Sequence, residues 1–148
     1  MTISFAAPVT NSPFGLSNLG NYANPTFADL DGDGDLDALV GNNAGNTLYF
    51  QNIGSATAAS FASPVTNALG LSAVPSKAAP TLVDLDGDGD LDVLAGEGYG
   101  NTRYFQNSGS ATAASFAAPL TTPFGLSDVG YRSTPTFADL DGDGDPDA

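Results

Sequence analysis

The chain has 148 residues and a formal net charge of -14, from 17 acidic and 3 basic side chains, with neither Cys nor His. Lys77, Arg103 and Arg132 are its only cations, too few for a phosphate-neutralising surface, so no nucleic-acid partner is expected and anionic membranes are poor partners. Without Cys or His there can be no disulfide, no zinc site of Cys/His type and no catalysis by either residue. No apolar run reaches the roughly 18 residues of a membrane helix, so no membrane insertion is expected.

Met1 to Phe5 lack both a basic n-region and an apolar h-region, and no signal peptide is visible. Phe5-Ala-Ala-Pro8 matches Phe116-Ala-Ala-Pro119, so residues 1–23 read as the last strand of a preceding repeat and its connection. A first full repeat follows over 24–78. Thr26–Leu30 reads as a strand that enters Asp29-Leu-Asp31-Gly-Asp33-Gly-Asp35-Leu-Asp37, and Leu36–Gly41 as a strand that leaves it. Gly41-Asn-Asn-Ala-Gly45 is turn chemistry, Asn46–Gln51 a third strand and Ser60–Val65 a weaker fourth. A second repeat over 79–133 carries Asp84, Asp86, Asp88, Asp90 and Asp92 at the same spacing; a third begins at 134–148 with Asp139, Asp141, Asp143, Asp145 and Asp147.

The period is 55 residues and extends well beyond the acidic loops. Gly54 to Ala62 recurs unchanged at Gly109 to Ala117, Tyr49-Phe-Gln-Asn52 recurs at Tyr104 to Asn107, and Pro25 to Asp35 recurs at Pro135 to Asp145. A fixed period of this length indicates a solenoid, propeller or array, and solenoid coils are much shorter. No stretch shows capped helical periodicity. Leu39-Val40 and Leu48-Tyr49-Phe50 are apolar at consecutive positions, so both faces of each sheet need cover, which radial stacking of four-stranded antiparallel sheets supplies. The expected fold is all-β: a β-propeller fragment of about 2.7 repeats, a segment of a longer repetitive protein. Its end blades are expected to expose Leu39, Val40, Leu48, Tyr49 and Phe50 or their counterparts, and to self-associate through them.

Fifteen of the 17 acidic residues lie in the three nonapeptides, with Asp at positions 1, 3, 5, 7 and 9 and Gly at 4 and 6. Five carboxylates in nine residues repel one another, and a compact loop of this kind calls for a cation. The spacing matches the first nine positions of a calcium loop of EF-hand type, with the sharp turn at Gly34, Gly89 and Gly144. Val40 and Ala95 stand where an EF-hand has its bidentate Glu, and the loops lie between strands rather than helices. One Ca2+ per loop, up to three, is expected, and three such ions would bring the net charge from -14 to -8. A solvated acidic linker would not need the interleaved glycines, and an enzyme would not need the same carboxylate pair in every repeat. Gly96-Glu-Gly-Tyr-Gly100 precedes a strand with no Lys behind it, so it is a hairpin turn and not a phosphate cradle. Tyr49-Phe50 and Tyr104-Phe105 are expected in the core between blades rather than on a stacking platform. Phe14-Gly-Leu16, Leu69-Gly-Leu71 and Phe124-Gly-Leu126 read as a repeated apolar plug over the blade edge.

Thr26 to Gly41 and Thr81 to Gly96 resemble the FG-GAP-like (VCBS) repeats, relatives of the integrin α-chain propeller, whose mark is a strand, a loop of the form Asp-x-Asp-x-Asp-Gly-x-x-Asp and a second strand. The resemblance covers essentially the whole chain. It implies four-stranded blades, usually seven to a ring. It also implies calcium ligands at Asp29, Asp31, Asp33 and Asp37 with the Asp35 carbonyl, at Asp84, Asp86, Asp88 and Asp92 with Asp90, and at Asp139, Asp141, Asp143 and Asp147 with Asp145. Pro146 departs from the Leu36 and Leu91 of the other copies. The function expected from the resemblance is non-enzymatic: a calcium-binding propeller segment of a secreted or cell-surface protein, serving adhesion or the binding of a protein or carbohydrate ligand. The alternatives are an accessory propeller of a secreted hydrolase or lyase, and a self-assembling structural scaffold.

Overall fold

Consecutive strands of one repeat, joined without a crossover element, pair antiparallel, and the computed structural model, which describes residues 13–148, has one four-stranded antiparallel sheet per complete repeat. The first contains β1 (Asn24–Ala28), β2 (Asp37–Gly41), β3 (Thr47–Phe50) and β4 (Val65–Thr66), in that spatial order. The second contains β5 (Ala79–Val83), β6 (Asp92–Gly96), β7 (Thr102–Phe105) and β8 (Leu120–Thr121), likewise in order. The registers repeat: Ala28 faces Asp37 and Asn24 faces Gly41, as Val83 faces Asp92 and Ala79 faces Gly96. One 3-10 turn, Pro13–Gly15, is the only helical element among the described residues. The strand expected within residues 1–9 lies outside them.

The middle strands are buried along their whole length, as their unbroken apolar runs require. Leu39 on one face of the first sheet packs with Leu71, Val74, Val93, Ala95, Phe105 and Phe116, which makes the core between the two sheets. Ala38, Val40 and Phe50 on the other face are covered by Leu16, Leu19 and Phe61. The sheets meet along β1 and β5, the arrangement of neighbouring propeller blades, and do not close a ring. Close approach explains the glycine that ends β2: a Cβ on Gly41 would overlap the Ala78 carbonyl and lie 2.7 Å from Pro80 Cδ, and Gly96 stands in the same relation to Ser133 and Pro135.

Three expectations need correction. The first strand begins and ends two residues early, because the Leu30 amide turns to the Asp37 carboxylate instead of continuing the ladder. The fourth strand is Val65–Thr66 rather than Ser60–Val65; within 60–64 only Phe61 forms a bridge, to Asn52, and Pro64 has no amide to donate. The end faces do not expose Leu39, Val40 or Phe50, which are buried, and Leu48 and Tyr49 are half-buried: the second sheet covers Leu39 and Tyr49, and the 16–19 connection folds back over Val40, Leu48 and Phe50. Of the apolar plug, Leu16 and Leu71 pack inward while Phe14 and Phe124 stay exposed. The third repeat forms a single antiparallel bridge, Ala138 to Asp147.

Candidate metal centre

The first two acidic loops join the first two strands of their repeats, the third spans the Ala138–Asp147 bridge, and in each the first aspartate organises the loop. Asp29 accepts from the Gly32 amide at 2.7 Å on one oxygen and from the Gly34 amide at 2.9 Å on the other. Asp84 does the same with Gly87 and Gly89, and Asp139 with Gly142 and Gly144. Gly34 sits at φ 91, left-handed backbone that a side chain would strain, as position 6 of the motif requires. Gly32, at φ 78, shares that need. Asp31 accepts from the Asp33 amide and Asp33 from the Asp35 amide, so the carboxylates turn back into the loop.

The last aspartate is the buried anchor. Asp37 accepts from the Asn52 amide at 2.7 Å, from the Tyr49 hydroxyl at 2.9 Å and from the Leu30 amide at 3.3 Å. Asp92 repeats this with Asn107, Tyr104 and Leu85. Gln51 and Gln106 donate to the second oxygens of Asp31 and Asp86, each at 2.7 Å. Asn52 in turn accepts from the Gly54 and Ser60 amides and closes the loop beyond β3. These supporting residues were missed as such from the sequence. Their signal was the recurring Tyr-Phe-Gln-Asn block, in which Phe50, Phe105 and Tyr104 are core and Tyr49 packs against it, as expected, while the tyrosine hydroxyls, Gln and Asn hold carboxylates.

Carboxylate oxygens of Asp29, Asp31 and Asp33 lie within 4.8 Å of one another, as do those of Asp84, Asp86 and Asp92, and of Asp139, Asp141 and Asp147. Asp37, Asp88 and Asp143 stand outside these groupings, as do the side chains of Asp35, Asp90 and Asp145, the positions from which a backbone carbonyl is expected. Asp35 and Asp90 each hold one buried oxygen with no hydrogen-bond partner. Burial, then the charges of neighbouring carboxylates, pushes both carboxyls above the ordinary aspartate value. Burial also raises Asp37, against the lowering effect of its three donors. Tyr49 and Tyr104 are pushed up by burial and by the carboxylates they donate to, so neither hydroxyl ionises near neutrality. In the third loop the hydrogen bond and charge of Asp143 raise Asp145. The donor set is all oxygen, dense and negative, which suits a hard divalent cation.

The two-strand setting of the loops and their 55-residue recurrence agree with a family model described as the FG-GAP-like repeat, which matches residues 29–95 and again 84–148. The chain belongs to the FG-GAP-like repeat family. The two matches overlap in the second acidic loop, so each FG-GAP-like unit runs from one loop through a sheet to the next. No curated protein and no solved structure gave a significant match. No helix among the described residues of this FG-GAP-like chain is long and apolar enough to cross a membrane.

Proposed function

We propose that the chain is a non-enzymatic, calcium-binding repeat module of a secreted or cell-surface protein, serving adhesion or ligand binding. The observation that supports it is the threefold recurrence of carboxylate oxygens drawn within 4.8 Å of one another, in loops whose buried Asp35 and Asp90 oxygens have no protein partner. In this reading Asp29, Asp31, Asp33 and Asp37 with the Asp35 carbonyl hold one ion, and the corresponding residues after Asp84 and Asp139 hold the others. The ion neutralises the loop and fixes the turn between the first two strands. The non-enzymatic role rests on the family and on the loops themselves, which pair no nucleophile with a base.

Titration calorimetry tests the metal. Calcium uptake of about two to three ions per chain is expected, with magnesium much weaker because these loops are large and flexible for an octahedral ion. Asp29→Asn with Asp33→Asn removes one site. No uptake at millimolar calcium overturns the proposal.

A further inference from the structure

Residues 22, 77 and 132 occupy one position of the 55-residue repeat, yet they are Tyr, Lys and Arg, whereas nearby Pro25–Asp35 and Pro135–Asp145 are identical. All three have left-handed backbone, with φ of 61, 50 and 54. Glycine would hold such a turn without strain, so large side chains kept there point to a use for them. Their side chains converge, joined by Tyr131. Lys77 Nζ lies 4.8 Å from the Tyr131 ring centre and 5.7 Å from that of Tyr22, and the Arg132 guanidinium lies 4.3 Å from Tyr22 and 5.1 Å from Tyr131. Lys77 donates to the Tyr131 hydroxyl at 3.0 Å and Arg132 donates to the Tyr22 hydroxyl.

The cluster stands beside the β2–β3 and β6–β7 turns: the Lys77 amide donates to the Asn43 carbonyl and the Arg132 amide to that of Gly98. In an antiparallel sheet that is the edge opposite the β1–β2 and β5–β6 acidic loops. Two of the three cations in a chain of net charge -14 therefore meet at one point, and neither is hydrogen-bonded to a carboxylate. Asp128, four residues before Arg132, is engaged by the Gly130 amide at 2.6 Å. Two like charges against the same rings repel, and the rings offset only part of that repulsion. An external oxyanion would complete the site. The hydrogen bonds and charges of Lys77 and Arg132 already hold the Tyr131 hydroxyl below its ordinary value, the sign of a positive field.

We propose that Tyr22, Lys77, Tyr131 and Arg132 form a binding site for an oxyanion-bearing saccharide, the cations taking its carboxylate or sulfate and the exposed tyrosines its ring. Tyr22 and Tyr131 are 46% and 62% exposed, which leaves ring surface for a sugar beside the charged groups. Four side chains are far fewer than the roughly 20–30 residues a side of a specific protein interface. The inference supplies a ligand class for the proposed binding role and is independent of the metal.

The test is calorimetric titration of the whole chain, in calcium, with a glucuronate-containing tetrasaccharide, a sulfated tetrasaccharide, the carboxyl-reduced tetrasaccharide and a hexaglutamate peptide. Binding of the first or second identifies the oxyanion. The double change Lys77→Gln with Arg132→Gln should weaken that binding about tenfold or more while leaving calcium uptake and the melting curve unchanged. Should those substitutions disturb folding, screening of binding by added salt in the unaltered chain gives the second readout. Equal binding of the carboxyl-reduced sugar, binding of hexaglutamate alone, no effect of the substitutions or of salt, or no saccharide binding up to about 10 mM would each overturn the proposal. A chain that binds saccharide without calcium fails only the metal reading, and one that binds calcium without saccharide fails only this one.

Discussion

Asp37 and Asp92 are the least exposed carboxylates of the acidic loops, at 0% and 1%, and three protein donors satisfy each of them. Replacing Tyr49 or Tyr104 by Phe removes one donor and keeps the ring. Each change should destabilise the protein by about 1–3 kcal/mol, read from urea unfolding at fixed calcium. A wild-type midpoint in either variant would show that the anchor does not need its hydroxyl. The sign of the pH dependence follows from the same site. In the metal-free chain Asp35, Asp37 and Asp90 are raised above 3.8, so the folded form holds more protons than the unfolded form just above that pH. Calcium-stripped protein should therefore lose stability as pH rises through that window, and saturating calcium should flatten or reverse the trend. Melting curves of the two forms across the acid range check this. The aspartates themselves were legible because Asp and Gly alternate on a fixed spacing. Their supporting residues were not, because a Tyr in an apolar strand reads as core until its hydroxyl is seen to reach a carboxylate.

Strand identity was legible from turn chemistry, and strand limits were not, since side chains that capture amides set them. Asp37 takes the Leu30 amide and Asp29 those of Gly32 and Gly34, which stops the β1 ladder at Ala28. The fourth strand shrinks because Asn52 takes the Ser60 amide, leaving a side-chain-closed turn before Val65. What passes from element to element is carried by backbone contact at β2 and β6. The Ala78 amide donates to the Asn42 carbonyl and the Lys77 amide to that of Asn43, so the chain entering β5 is stitched to the turn after β2. Gly41 lets it come that close. Gly41→Ala should cost about 1–3 kcal/mol by overpacking against Ala78 and Pro80. Gly34→Ala acts differently, through backbone strain within one loop, where no atom stands near the added Cβ. Comparing calcium affinity in the two variants separates these effects: the Gly41 change should lower stability with the metal site intact.

Over the whole molecule the acidic loops do more than close hairpins. Leu30, inside the first loop, is 4% exposed because the second repeat folds over it: the Ala114 amide donates to the Leu30 carbonyl at 3.3 Å, and Thr112 occupies the space a Cβ on Gly32 would need. Gly87 in the second loop has no such neighbour. Metal held by the first loop would therefore tie two sheets together, and metal held by the second would order one. An ion that binds only the folded form stabilises it by about 2.7 kcal/mol per site at a hundredfold excess over its dissociation constant. Chelation should thus lower the melting temperature of the chain. At saturating calcium, Asp29→Asn with Asp33→Asn should lower it further than Asp84→Asn with Asp88→Asn, because only the first pair also loosens the contact between sheets. Scanning calorimetry of the two double variants, with calcium and with EDTA, decides it. Equal losses would mean that each loop stabilises its own hairpin and nothing beyond it, and identical curves with and without calcium would leave the loops without a part in stability.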